Sequence, residues 1–140
     1  MTSSPNKGFE LQATGSNSGT WGNVLNDDVI SKIDENLGGR TALSLTSSNV
    51  TLTAAESRSA ILYLSGTLTA NITITTECIG FFYVENRTTG AFTVTIRNNL
   101  VAPSGSGFTS TVAVVARNSR VAVISDADQG CRIAGQNGFA

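Results

Sequence analysis

From Leu68 to Ile74 every second residue is apolar, and the residues between are Thr or Asn. A period of two is the mark of a half-buried β-strand. Leu68, Ala70, Ile72 and Ile74 then share one face, and Thr67, Thr69, Asn71, Thr73 and Thr75 share the other. Thr suits an outward face, because a β-branched side chain packs well on a pleated surface. Just upstream, Ile61 to Leu64 is continuously apolar and Gly66 marks a bend or bulge. The two runs read as neighbouring strands of a small sandwich.

Similar stretches continue to the C-terminal end. Strands are expected near 41–45, 50–53, 60–65, 67–75, 80–86, 91–97, 111–116, 120–125 and 131–134. Ala54 to Arg58 suggests a helical turn between strands, Asn86 to Gly90 a hairpin turn, and 98–106 a loop around Pro103 and Gly105. Turn signals every 8 to 12 residues point to a mostly β fold, a small jelly-roll-like β-sandwich. No internal repeat stands out.

Residues 1–22 differ. They form a polar arm in which Phe9, Leu11 and Trp21 are the only large apolar groups. Such a segment buries too little surface to offset its own ordering entropy, so a partner surface is expected. Phe9 to Ala13 alternates and can add a strand to a sheet edge. A short helix is expected over 23–39, with Asn26 as N-cap, Asp27 and Asp28 in the first turn, and Gly38-Gly39 as the stop. Val29, Ile30, Ile33 and Leu37 fall on one face of it and are expected to pack the arm and helix against the β-domain. The organisation is then an attachment arm (1–22), a helix (23–39), a β-domain (40–134) and a tail (135–140).

Only 14% of the 140 residues are charged, and the net charge is −1. Little electrostatic repulsion keeps copies apart, which favours a subunit of an assembly. The nine basic residues are scattered, so nucleic acid is not an expected partner. No apolar run is long enough to span a bilayer, and no signal peptide is visible.

The sequence contains no His, which removes the commonest general base and the usual zinc ligand sets. Glu56, Glu77, Glu85, Asp126 and Asp128 sit in no recognisable catalytic frame, and an enzyme is not expected. Asp126 to Gly130 lacks most positions of a calcium loop and reads as a turn. No cofactor is expected. Cys78 and Cys131 are either two buried thiols or a disulfide, within the chain or between copies. The motifs at Asn49-Val-Thr51, Asn71-Ile-Thr73 and Asn86-Arg-Thr88 match N-glycosylation acceptors, but a Thr-rich strand composition accounts for them.

Asn6 to Gly22, followed by Leu25-Asn26 and by Ile33 to Gly39, resembles a segment found near the start of fibre-like and tail-associated proteins of tailed bacteriophages. Asn49 to Glu56, Leu64 to Ile74 and Val84 to Ile96 resemble the β-domain that follows it. The resemblance implies a virion structural protein whose N-terminal segment attaches to the particle, head or tail, and whose β-domain oligomerises, often as a trimer. It implies a short tail or head fibre, or a capsid decoration or connector subunit, assembled in the bacterial cytoplasm. Phe9, Leu11 and Trp21 would be the docking residues. A glycan- or receptor-binding module of a tail fibre is the alternative, with Tyr63, Phe81, Phe82, Tyr83, Phe92 and Phe108 as its available aromatics, most of them expected in the core.

Overall fold

The computed structural model describes residues 2–4, 7–77, 79–99, 112–127 and 130–135. In it Thr67 and Thr89, 22 residues apart, form a parallel bridge. That spacing runs through the β-domain. Strands β3 (Arg40–Ser44), β5 (Ile61–Ser65) and β7 (Gly80–Asn86) pair in parallel, with Arg40 opposite Ile61 and Ile61 opposite Tyr83. Strands β4 (Val50–Thr51), β6 (Ile72–Thr76) and β8 (Val94–Asn98) also pair in parallel, with Val50 opposite Ile74 and Ile74 opposite Ile96. The chain therefore alternates between two sheets and winds through three coils of about 22 residues.

Strands β9 (Ala113–Val115), β10 (Ser119–Asp126) and β11 (Gly130–Ile133) close one end with antiparallel pairing. β9 adds to β8, β10 adds to β7, and β11 adds to β10. The orders are β11-β10-β7-β5-β3 in one sheet and β4-β6-β8-β9 in the other.

A mostly β, two-sheet domain is thus what the molecule has, and each expected strand region contains one. The winding differs from a jelly roll, whose strands pair antiparallel. Parallel neighbours need a long crossover, and here the strand of the opposite sheet supplies it. For that reason β5 and β6 lie in opposite sheets rather than side by side. For the same reason Asn86 to Gly90 is not a hairpin: β7 and β8 belong to different sheets, and Gly90 (φ 99°) turns a coil corner. The internal repeat that the sequence conceals is a repeat of coil positions.

Between the sheets lies one apolar core. Leu62, Leu64, Phe82, Val84 and Val123 enter from one side, and Leu52, Ile72, Ile74, Val94, Ile96 and Val115 from the other. Registers stack these into ladders such as Ile72, Val94 and Val115. Burying such side chains stabilises by about 1.5–3 kcal/mol each. The helical turn Ala54–Ser57 forms as expected. It opens on a capping box in which the Thr53 hydroxyl accepts from the Glu56 amide and the Glu56 carboxylate accepts from the Thr53 amide.

The arm carries a two-stranded hairpin, β1 (Thr2–Ser3) with β2 (Glu10–Leu11). The alternating segment at Phe9 to Ala13 therefore pairs with its own arm and not with a sheet edge. The expected helix is present and begins at Trp21, ahead of its expected N-cap. It is α-helical over Trp21–Val24, π-wound over Leu25–Ile30 and α-helical over Ser31–Gly38. Asn26 is not its N-cap, because Thr20 precedes the first turn and gives no side-chain cap. Asn26 instead sits in the π turn, where its carbonyl accepts from both the amide and the hydroxyl of Ser31. That extra bond gives a reason for the wide turn.

Candidate docking surfaces

Among the described residues, the helix meets the β-domain at a joint centred on Glu35. Its carbonyl accepts from the amides of Gly39 (2.9 Å) and Ala60 (3.2 Å). Its carboxylate pairs with Arg58 Nε at 2.8 Å. Gly39 leads directly into β3, and its carbonyl accepts from the Ile61 amide at 3.0 Å. A Cβ on Gly39 would stand 2.5 Å from the Glu35 carbonyl oxygen, so the joint is tight enough to require glycine. Lys32 ties in the arm: its ammonium donates to the Gly8 carbonyl at 3.0 Å and pairs with Asp28 at 3.3 Å.

Polar contacts of this kind hold the helix, not the apolar face at Val29, Ile30, Ile33 and Leu37. No residue of the helix is buried. Val29 is half-buried, whereas Ile30, Ile33 and Leu37 are exposed, Leu37 by 80%. Among the described residues no helix–strand pair makes more than marginal contact. The arm residues behave similarly. Phe9 is half-buried, Leu11 is 51% exposed and Trp21 is 57% exposed. The expected docking residues thus lie within one arm–helix unit, and its apolar groups are not spent on the core of the chain.

A second surface lies on the outer face of the five-stranded sheet. Phe81 and Tyr83 point outward from β7, 69% and 54% exposed, with Ile124 beside them on β10. Phe81 lies directly opposite Ile124. Of the aromatics expected in the core, Phe82 is buried, while Phe81, Tyr83 and Phe92 are exposed. Phe108 lies outside the described residues. The signal was present in the sequence. Ile61 to Leu64, Phe81 to Val84 and Val121 to Ile124 are apolar at both parities, the pattern of strands covered on both faces. In the opposite sheet β6 (Ile-Thr-Ile-Thr-Thr) and β8 (Val-Thr-Ile-Arg-Asn) alternate apolar and polar through their first four residues, and that sheet turns Thr73, Thr75 and Thr95 outward.

Comparison of the chain with protein-family models, curated proteins and solved structures finds no match.

Charge on the two surfaces is unequal. The helix carries Asp27, Asp28, Asp34 and Glu35 against a single Lys32. The outer face of the five-stranded sheet is edged by arginines. Arg40 lies 4.1 Å from the centre of the Tyr63 ring, a cation–π contact. Arg120 and Arg87 both reach Glu85, and their hydrogen bonds, that of Arg87 first, hold its carboxyl below the usual carboxylate value. The Glu56 carboxyl is also lowered, by the Thr53 amide first and then by the Thr53 hydroxyl.

Asp126 ends β10, pairs with Arg132 at 2.5 Å and lies opposite Gly130, the first residue of β11; Asp128 lies outside the described residues. Among the described residues no group of three His, Cys, Asp or Glu side chains is placed to hold a metal ion. Cys131 is buried in the core, and Cys78 lies outside the described residues. The three Asn motifs have structural roles. Asn49 Oδ1 accepts from the Thr73 amide, Asn71 Oδ1 accepts from the Thr93 amide one coil on, and Asn86 is fully buried.

Proposed function

We propose that this chain is a non-enzymatic structural protein of a bacteriophage virion. It acts as a short fibre, or as a decoration or connector subunit, assembled in the host cytoplasm. The arm docks on another virion protein and the β-domain associates with copies of itself. One observation carries this reading: the β-domain completes its own core, yet the arm and helix present Leu11, Trp21 and Leu37 to solvent. Apolar groups of that size on a polar, charge-poor arm mark an interaction site.

The test is particle incorporation. Trp21→Ala is expected to reduce the amount of subunit in assembled particles while the purified variant keeps the far-ultraviolet circular dichroism and melting curve of the wild type. Incorporation at the wild-type level would overturn the docking role.

A second reading, glycan binding, gains from Phe81 and Tyr83 standing on one outward face of β7. Flat aromatic side chains of this kind can stack on sugar rings. Glycan-array binding that disappears in Tyr83→Ala would favour it. No binding at high protein concentration would retire it.

A further inference from the structure

The molecule has two apolar faces that are exposed among the described residues, and they are similar in length and opposite in the charges beside them. One is a helix stripe, Ile30, Ile33 and Leu37. The other is a sheet face, centred on Phe81, Tyr83 and Ile124. The stripe rises roughly 10 Å from Ile30 to Leu37, at 1.5 Å per residue. The face spans three adjacent strands, β5, β7 and β10, or roughly 10 Å at about 4.8 Å per gap. Asp34 flanks the stripe, four residues from Ile30 and three from Leu37. Arg40, Arg120 and Arg132 edge the sheet face, Arg120 paired with Glu85 and Arg132 with Asp126.

We infer that the helix stripe of one copy seats on the sheet face of a second copy, with Asp34 toward the arginine edge. The contact rests on the self-association proposed above and gives it a geometry. A helix on a sheet is a stable layer arrangement when each element has an unfilled apolar face. The copy's own helix does not fill its sheet, because the Glu35–Gly39 joint fixes where the helix leaves the domain and leaves the stripe in solvent. The both-sided apolar strands β5, β7 and β10 are then covered on both faces, as their sequences require. The opposite sheet, faced with threonine, stays in water.

Such a contact joins unlike surfaces, so two damaged copies can complement each other. The experiment uses full-length Leu37→Lys and Phe81→Lys, each checked for wild-type melting, with mass measured by light scattering after size exclusion. The wild type is expected to run at a multiple of 14.5 kDa and each variant at 14.5 kDa. An equimolar mixture is expected to recover a species of two chains, because one intact helix can meet one intact sheet.

If only one variant is monomeric, the contact joins like faces and the inference is overturned. If both are monomeric and the mixture stays monomeric, the helix of one copy does not meet the sheet of another, and the inference is overturned too. If the variants keep the wild-type mass, this contact is overturned while self-association stands. If the wild type is itself monomeric at high concentration, both fail together.

Discussion

Gly90 stands over the carbonyl of Leu68 as Gly66, one coil earlier, stands over that of Leu45. A Cβ on Gly90 would lie 2.5 Å from the Leu68 oxygen, and one on Gly66 would lie 2.3 Å from the Leu45 oxygen. Both glycines also have positive φ, 99° and 103°. The same corner is therefore built twice with the same solution, and the backbones approach too closely for any side chain. Amide bonds repeat with it: Leu45 N donates to Ser65 O, and Leu68 N donates to Thr89 O.

Gly66→Ala and Gly90→Ala are each expected to destabilise the β-domain by about 1–3 kcal/mol, from strain at positive φ and a clash with rigid backbone. Gly22→Ala is the control. Its Cβ would meet nothing within 4 Å, and it lies in a helix, so a gain of about 0.5–1 kcal/mol is expected. Urea unfolding midpoints at constant m-value separate the three.

Asn86 ties the coil to its cap. Its Nδ2 donates to Val115 O at 2.9 Å, and its Oδ1 accepts from the amide and hydroxyl of Thr88 at 3.0 and 2.7 Å. The residue is wholly buried. Asn86→Ala leaves those partners unsatisfied in the core and is expected to cost about 2 kcal/mol or more. Asn71→Ala, at an exposed ladder position, is expected to cost less. Thermal melts of the two variants, run side by side, check the order.

The capping box at Thr53 gives a pH prediction. The folded Glu56 carboxyl is lowered below its unfolded value. Its contribution is therefore present above the ordinary carboxylate range, about pH 4.3, and is lost as pH falls through the folded value. Glu56→Gln is expected to remove that part of the acid dependence and to leave stability near neutral pH slightly lower. Thr53→Ala, which deletes the cap oxygen, is expected to cost about 1 kcal/mol at neutral pH. Melting temperatures from pH 7 down to pH 3 for the three proteins provide the check.

The Glu35–Arg58 pair should govern the helix more than the domain. Both side chains are partly solvent-exposed, so Arg58→Ala is expected to change global stability by less than about 1 kcal/mol. Amide exchange over Ser31–Gly38 is expected to accelerate in the same variant, because this pair and the Ala60–Glu35 bond anchor the helix root. Unchanged exchange there would mean that the backbone joint suffices.

Period-two alternation in Ile72 to Thr76 and Val94 to Asn98, and turn residues between strands, were enough to show a two-sheet β-domain behind a polar arm and a helix. These are local signals, since side-chain parity along a strand decides which face is buried. The capping box at Thr53 and Glu56 is local in the same sense, being complete within four residues. The winding was decided elsewhere. Whether β5 pairs with β6 or with β7 depends on contacts 22 residues apart, and Asn49 and Asn71, spaced at that interval, are faint traces of it. Nor could the helix stripe at Ile30, Ile33 and Leu37 declare its partner, because an amphipathic face states only that something must cover it. Only the tertiary structure shows the Glu35–Gly39 joint holding that face clear of its own sheet, where the outward Phe81 and Tyr83 remain uncovered. Local chemistry chose the elements, and long-range packing chose which of their faces the chain leaves for others.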